Sequence, residues 1–256
     1  MDKRLIYRIG GMVFLLILTF VMFLIYDNHL HKEEDLRNPG YISSYWDTGY
    51  YAINPETILA SLESGDDNVF MPLLIDPQDI TEDVTDMNIS WTQADFLRIA
   101  SALSRLVWDD PIDSGGWNVY FISFGGSCSD PAGFFSATIT YFKTGRTAYT
   151  TRLIEINPYL GYVAWGGEAT YPKPILQKWN SVDLFGAEFT ADDALRIVGE
   201  DAKERFQLQG NCGGIMSTPQ NNDPENWYFH LLSTPDTIVY AVNLETGNYI
   251  FQNLSK

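Results

Sequence analysis

"TADDALRIV", Thr190–Val198, repeats an earlier stretch of the same chain, "TQADFLRIA", Thr92–Ala100. The two agree at five of nine positions: the Thr, the Asp three residues on, and the run Leu-Arg-Ile. Each reads as a helix start. Thr92 and Thr190 are N-caps, and Asp95 and Asp193 stand where a capping-box acid answers the cap. Trp91 stands where it can staple to Phe96. Beyond the caps, Phe96, Ile99, Ala100, Leu103 and Leu106 or Val107 fall on one helical face, as do Leu195, Val198, Ala202 and Phe206 in the second stretch. Asp109-Asp110-Pro111 stops the first helix.

Aromatic and β-branched runs follow both helices and read as strands. After the first come "WNVYFISF" (117–124), "FFSATITYF" (134–142) and the pair "TRLIEIN" and "GYVAW", joined by Pro158-Tyr159-Leu160. After the second come a Gly-rich loop "QGNCGG", then "WYFHLL" (227–232), "TIVYAVN" (237–243) and "NYIFQN", with Glu245-Thr246-Gly247 as the last turn. The closing hairpins share Thr151/Thr237, Asn157/Asn243 and Gly161/Gly247 in register. The helix matches lie 98 residues apart and the hairpins 86 apart. With Trp117 aligned to Trp227, the difference predicts one extra strand in the first copy. The fold class expected is α+β: two repeats, each a helix followed by an antiparallel sheet, with each helix covering its own strands.

The element Tyr240-Ala241-Val242-Asn243-Leu244-Glu245-Thr246-Gly247-Asn248-Tyr249-Ile250, preceded by a helix and strands, resembles the PepSY domain. The resemblance covers residues 190–253 best. It implies small cystatin-like modules, extracytoplasmic, often tandem or membrane-tethered, some of which restrain peptidases. The first copy departs from the motif, with Pro158-Tyr159-Leu160-Gly161 in place of the Thr-Gly turn. The chain also resembles single-pass bacterial envelope proteins of no assigned activity.

The N-terminus predicts a membrane anchor. Ile9–Tyr26 is 18 residues without a charge, about 27 Å of helix and enough to cross a hydrocarbon core. Lys3, Arg4 and Arg8 precede it, which places the N-terminus in the cytoplasm and the rest outside. The exit "FLIYDN" lacks the small-x-small pattern of a signal-peptide cleavage site. The domain plan is then an anchor (1–27), a stalk with a short helix at Asn54–Gly65 and an acidic linker (28–90), a first α+β repeat (91–188) and a second, PepSY-like one (189–256).

The whole chain holds 16 Lys+Arg against 33 Asp+Glu, a net −17. Such a surface repels nucleic acid and anionic headgroups and suits a soluble external domain. Candidate chemistry is sparse. Asp95 and Asp193 form an acid–base pair or, as the plainer account, two helix caps. Arg98 and Arg196 are anion ligands or surface arginines lying along the helix. His29 and His31 flank the membrane. His230 lies mid-strand and could form a nucleophile–base dyad with Cys212. Asp109, Asp110 and Asp113 are a metal cluster or an acidic helix exit. "GGSCSD" is not a nucleophile elbow, and no Walker loop, dinucleotide fingerprint, HExxH or calcium loop is present. Cys128 and Cys212, the only two cysteines, both lie outside if the topology holds, and a bridge between them would staple copy to copy. No cofactor is implied. The reading is a membrane-anchored, non-catalytic binding or regulatory module for a protein, peptide or cell-wall polymer. A hydrolase with a Cys/His or carboxylate site is the other reading.

Overall fold

The computed structural model describes residues 16–25, 49–53, 91–128, 133–146, 148–166, 168–172, 179, 181, 184, 188–208, 212–218 and 225–255. The first of these is helical (α1, 16–25) and all of its large apolar side chains but Leu24 are exposed. Among the described residues no helix is long and apolar enough to cross a membrane. The rest of the span 9–26, His29, His31, the short helix at 54–65 and the acidic linker all lie outside the described residues.

The chain continues as β1 (Gly49–Ala52), α2 (Gln93–Val107), a 3-10 turn (Ile112–Ser114), β2 (Trp117–Ser127), β3 (Gly133–Thr144), β4 (Ala148–Asn157), β5 (Tyr162–Trp165), β6 (Ala169–Pro172), α3 (Ala191–Phe206), β7 (Gly213–Ser217), β8 (Asn226–Leu231), β9 (Ile238–Asn243) and β10 (Tyr249–Asn253). All the pairings are antiparallel, and the strands form one sheet in the order β1-β5-β4-β3-β2-β7-β8-β9-β10, with β6 beside β4. The class is α+β.

Both helix starts are capping boxes. Thr92 Oγ1 accepts from Asp95 N and Thr190 Oγ1 from Asp193 N, while each Asp carboxylate accepts from its cap's backbone N–H. Such a cap stabilises a helix by about 1 kcal/mol. Trp91 meets Phe96 with ring centroids 5.8 Å apart, as a staple should. The closing turns also match. Gly161 and Gly247 have φ of 73° and 67°, the left-handed region a side chain disfavours. Asn157 Oδ1 accepts from Leu160 N, and Asn243 Oδ1 accepts from Glu245 N and Thr246 N.

Three expectations need correction. The first half carries five strands (β2–β6) and the second four (β7–β10), not four against three, and the strand the first half has in addition is β6 beside β4, not one between its helix and its closing hairpin. The strand not expected in the second half is β7, in the glycine-rich stretch read as loop, so β3 corresponds to β8 and Trp117 does not correspond to Trp227. Next, β1 turns part of the expected stalk into sheet: Gly49 pairs with Trp165 and Ala52 with Tyr162, and Ile53 is buried. Finally, the helices do not each cover only their own strands. β2 and β7 pair from Ser123↔Ser217 to Ser127↔Gly213 and fuse the halves into one sheet. One apolar core runs under both helices. Phe124 of β2 sits at its centre, touching Phe96 of α2 (5.8 Å), Phe134 of β3 (4.5 Å) and Trp227 of β8 (6.5 Å). Helix α3 packs on β8 and β9 and also reaches across to β2 and β3.

Candidate functional site

The shared acids act as caps. Arg196 Nη2 also donates to Asp193 Oδ1 at 2.9 Å. Burial opposes ionisation of Asp193, but the hydrogen bonds from Thr190 and Arg196 outweigh it and leave the pKa below the usual carboxylate value. Where the two helix starts meet, a different pair does the joining. The Gln93 backbone N–H donates to Asp192 Oδ2 (3.0 Å), and Ala191 N–H donates to Gln93 Oε1 (2.9 Å). Two of the N–H groups that helix ends leave unpaired are satisfied this way. Burial first, then the nearby charges of Asp193 and Asp95, raises the Asp192 pKa, against hydrogen bonding from Gln93.

Cys128 and Cys212 form a disulfide, with Cα atoms 5.1 Å apart. Cys128 N–H donates to Cys212 O at 2.8 Å, so the bridge continues the β2–β7 seam. Helix α3 lies directly on it: a Cβ on Gly199 would fall 2.5 Å from Cys128 Cβ. The Cys212 sulfur is therefore committed to the bridge and unavailable to His230, whose half-buried ring has its pKa lowered by burial.

Of the aspartates after α2, Asp110 and Asp113 are held by cations and hydroxyls. Asp110 accepts from Lys143 Nζ (2.8 Å), Ser114 Oγ and Trp117 Nε1, and Lys143 foremost holds its pKa down at about 2. Asp113 accepts from Arg105 Nε (2.6 Å) and Ser101 Oγ, and its pKa is lowered chiefly by Arg105. Beside them the Arg152 guanidinium is buried between the indoles of Trp108 (4.7 Å) and Trp117 (4.4 Å), donating to the Asp110 carbonyl and to Glu168. These groups lock the end of the sheet to the end of α2. Among the described residues no three His, Cys, Asp or Glu side chains are grouped to hold a metal ion.

The less familiar feature is the sheet face away from the helices. In the first half it is covered. Trp179 stacks on Tyr149 (4.3 Å, 8° between planes), its N–H donates to Tyr149 Oη, and Tyr120, Phe142 and Tyr171 pack around the pair. In the second half the same face is buried at its centre, at Val239 and Ala241, and exposed around it. One row across the strands runs Gly125–Ile215–His230–Val239–Gln252, with the Phe135 ring over Gly125, and the next row ends Tyr228–Ala241–Ile250. Ile215, Phe135 and Ile250 are exposed, Ile250 by 61%. Among the described residues from 91 onward, six of the eight exposed large apolar side chains belong to the second half: Ile215, Leu232, Tyr249, Ile250, Phe251 and Leu254, against Leu106 and Phe135. Sequence reasoning named His230 as a candidate base, Leu106 on a helix face and Tyr249 and Ile250 within the PepSY-like element, but none of them as part of an exposed apolar surface. The alternation in "WYFHLL" marks a face turned away from the core without telling whether anything covers it.

No family model and no curated protein matches the chain. Among solved structures, the crystal structure of a "putative lipoprotein" from Clostridium difficile 630 resembles it at 11% identity and a TM-score of 0.39, over 67% of this chain and 99% of that one.

Proposed function

We propose that this chain is a membrane-tethered, extracytoplasmic binding module with no catalysis of its own. In this reading it is built from two PepSY/cystatin-like units and holds a protein or peptide partner on the second unit, restraining a peptidase where the partner is one. The supporting observation is the concentration of exposed apolar side chains on the second half, with Ile215 and Ile250 on the face that Trp179 covers in the first half and Tyr249 and Phe251 on the helix side of the edge strand. Contiguous exposed apolar surface on a soluble domain marks a contact surface. The Cys128–Cys212 bridge supports the compartment, since disulfides persist in oxidising surroundings. The acidic surface suits an external domain and argues against nucleic acid. Cell-wall polymer is the other ligand class considered.

The test is photo-crosslinking on intact cells, with a benzophenone amino acid at Ile250 and, as the comparison, at Leu106 on the helix side. A specific protein adduct from position 250 and none from position 106 is expected. Equal or absent labelling at both positions would remove the partner from the second unit. Protease added to wall-stripped cells tests the topology, since residues 28–256 should be digested.

A further inference from the structure

We propose that the outer edge of β10 is a strand-addition site, which takes an extended peptide segment of a partner protein, antiparallel and with basic flanks, along Tyr249–Asn253. The inference rests on the binding-module reading and gives it a mode of contact.

The occupied counterpart is in the same molecule. β4–β5 and β9–β10 are the matching hairpins, with the Asn157/Asn243 and Gly161/Gly247 turns 86 residues apart. On β5 the outer edge is filled by β1. Tyr51 pairs with Val163, Gly49 pairs with Trp165, and Ile53 N–H donates to Gly161 O at 2.7 Å. Carried across by 86 residues, those three edge positions are Tyr249, Phe251 and Gly247. Among the described residues no strand pairs with β10 there.

The backbone points the right way. Asn243 N–H donates to Asn248 O and Leu254 N–H donates to Thr237 O, both at 2.8 Å. Even-numbered residues of β10 therefore bond inward to β9. In an antiparallel ladder the alternate residues face out, so Tyr249, Phe251 and Asn253 present their N–H and C=O groups at the edge. The edge also lacks the usual protections. Edge strands are ordinarily blunted by proline, lysine, bulges or inward charges. "YIFQN" has no proline and no charge, and its register with β9 is unbroken over all five residues.

The flanking side chains select the partner. On the helix side Tyr249 and Phe251 lean on Tyr240 (5.8 and 6.0 Å), and Arg205 lies over Phe251 at 4.3 Å. That cation is already paired, through Nε and Nη2, with Asp201. On the opposite side stands Ile250. The ends are acidic: Glu245 is exposed ahead of the strand, and Asp236 sits at its far end, accepting from Asn253 Nδ2. Residues 188–256 carry ten Asp/Glu against four Lys/Arg. The complement is a strand with apolar or aromatic residues flanked by lysine or arginine.

The test uses the full isotope-labelled chain in detergent and a probe peptide, Gly49–Ile53 with two lysines added at each end. Amide exchange of Tyr249, Phe251 and Asn253 should slow by at least about tenfold with the peptide, while Ile250 and Gln252, already bonded to β9, change little. A version with glutamates for the lysines should bind about tenfold more weakly, and one N-methylated at alternate residues should not protect those amides. Phe251→Pro removes an outward N–H without touching the β9 ladder, so it should fold and lose the protection. Slow exchange at Tyr249 and Phe251 in the free chain would mean that its own segment or a second copy holds the edge, and would overturn the proposal. So would peptide binding that leaves these amides unchanged. Should the adduct at position 250 on cells persist in the Phe251→Pro chain, the module stands and the edge falls. Loss of the adduct from every position would sink the module itself.

Discussion

The two halves begin and end alike and differ in what covers them. Each opens on a Thr–Asp capping box and closes on a hairpin turned by an Asn side chain and a left-handed glycine. Between those points the first half is finished by its own chain. β1 takes its outer edge, and Trp179 with its aromatic neighbours covers its far face. In the second half no described strand pairs with the outer edge, and on the far face Ile215 and Ile250 stay exposed around the buried Val239 and Ala241. A shared framework tells how such a unit folds; the difference tells which surfaces the first unit satisfies internally and the second presents outward. The first half can thus be read as a closed version of the second, and its covering elements as a guide to what the second could accept.

The largest effect should come from parting the halves. Cys128 and Cys212 close a loop of 84 residues, which stabilises by about 4–5 kcal/mol in the chain-entropy model. The double variant Cys128→Ala, Cys212→Ala should lower the denaturant midpoint accordingly. A loss under about 1 kcal/mol would mean that Phe124 and the β2–β7 ladder hold the seam without help, and the halves would then be more alike in independence than the bridge suggests.

Next is the cover. Trp179→Ala removes the ring stacked on Tyr149 and should cost about 3 kcal/mol. Ile250→Ala, at an exposed position of the second half, should stay within about 0.5 kcal/mol. Equal costs at the two positions would erase the distinction between a closed and an open half. Binding of an apolar reporter dye should change in the opposite sense, increasing for Trp179→Ala and decreasing for Ile250→Ala.

Helix α3 offers a finer contrast. Gly199 corresponds to Ser101 across the 98-residue offset. Alanine at 199 meets Cys128 Cβ at 2.5 Å. The overpacking outweighs the gain in helix propensity, for a net cost of about 2 kcal/mol. Ser101→Ala gives up a hydrogen bond to Asp113 on the surface and should cost about 0.5 kcal/mol or less. Chemical melts of both variants settle whether α3 is seated more tightly than α2.

What could be read from the sequence was local. Capping boxes and turns are set within four or five residues, so Thr92, Asp95, Thr190, Asp193, Asn243 and Gly247 announce themselves. The bridge was legible from compartment and count. β7 was hidden because its glycines look like loop. They are there because space is short: a Cβ on Gly214 would fall 2.5 Å from the Phe229 ring, and Gly126 across the seam has Leu195 and Phe134 at 3.3 Å. β1 was hidden because four residues, "GYYA", carry no periodicity and gain their identity only from a partner more than 100 residues on. The candidate face was hidden for a related reason. His230, Ile215 and Ile250 look alike in sequence whether a tryptophan from a distant segment covers them or none does.

The smallest effect tests one helix position that differs in kind. Leu103 of α2 is fully buried in the core, and 98 residues later the position holds Asp201. Asp201 accepts from Arg205 Nε (2.8 Å) and Nη2 (2.9 Å) and from Tyr240 Oη (2.8 Å). The Arg205 bonds lead, burial opposes them, and hydrogen bonds from Tyr240 and Tyr249 add to the lowering, which brings the pKa to about 2. A carboxylate whose pKa is lower folded than unfolded binds protons more readily in the unfolded chain. Its stabilisation is therefore complete above the ordinary aspartate range near pH 4 and fades as pH falls through about 2. Asp201→Asn should cost about 1 kcal/mol at neutral pH, one partly buried, hydrogen-bonded charge. The gap between wild type and variant should narrow steadily between pH 4 and pH 2. If it persists undiminished at pH 2, the aspartate acts through shape and not charge, and α3 would then differ from α2 at this position in packing alone.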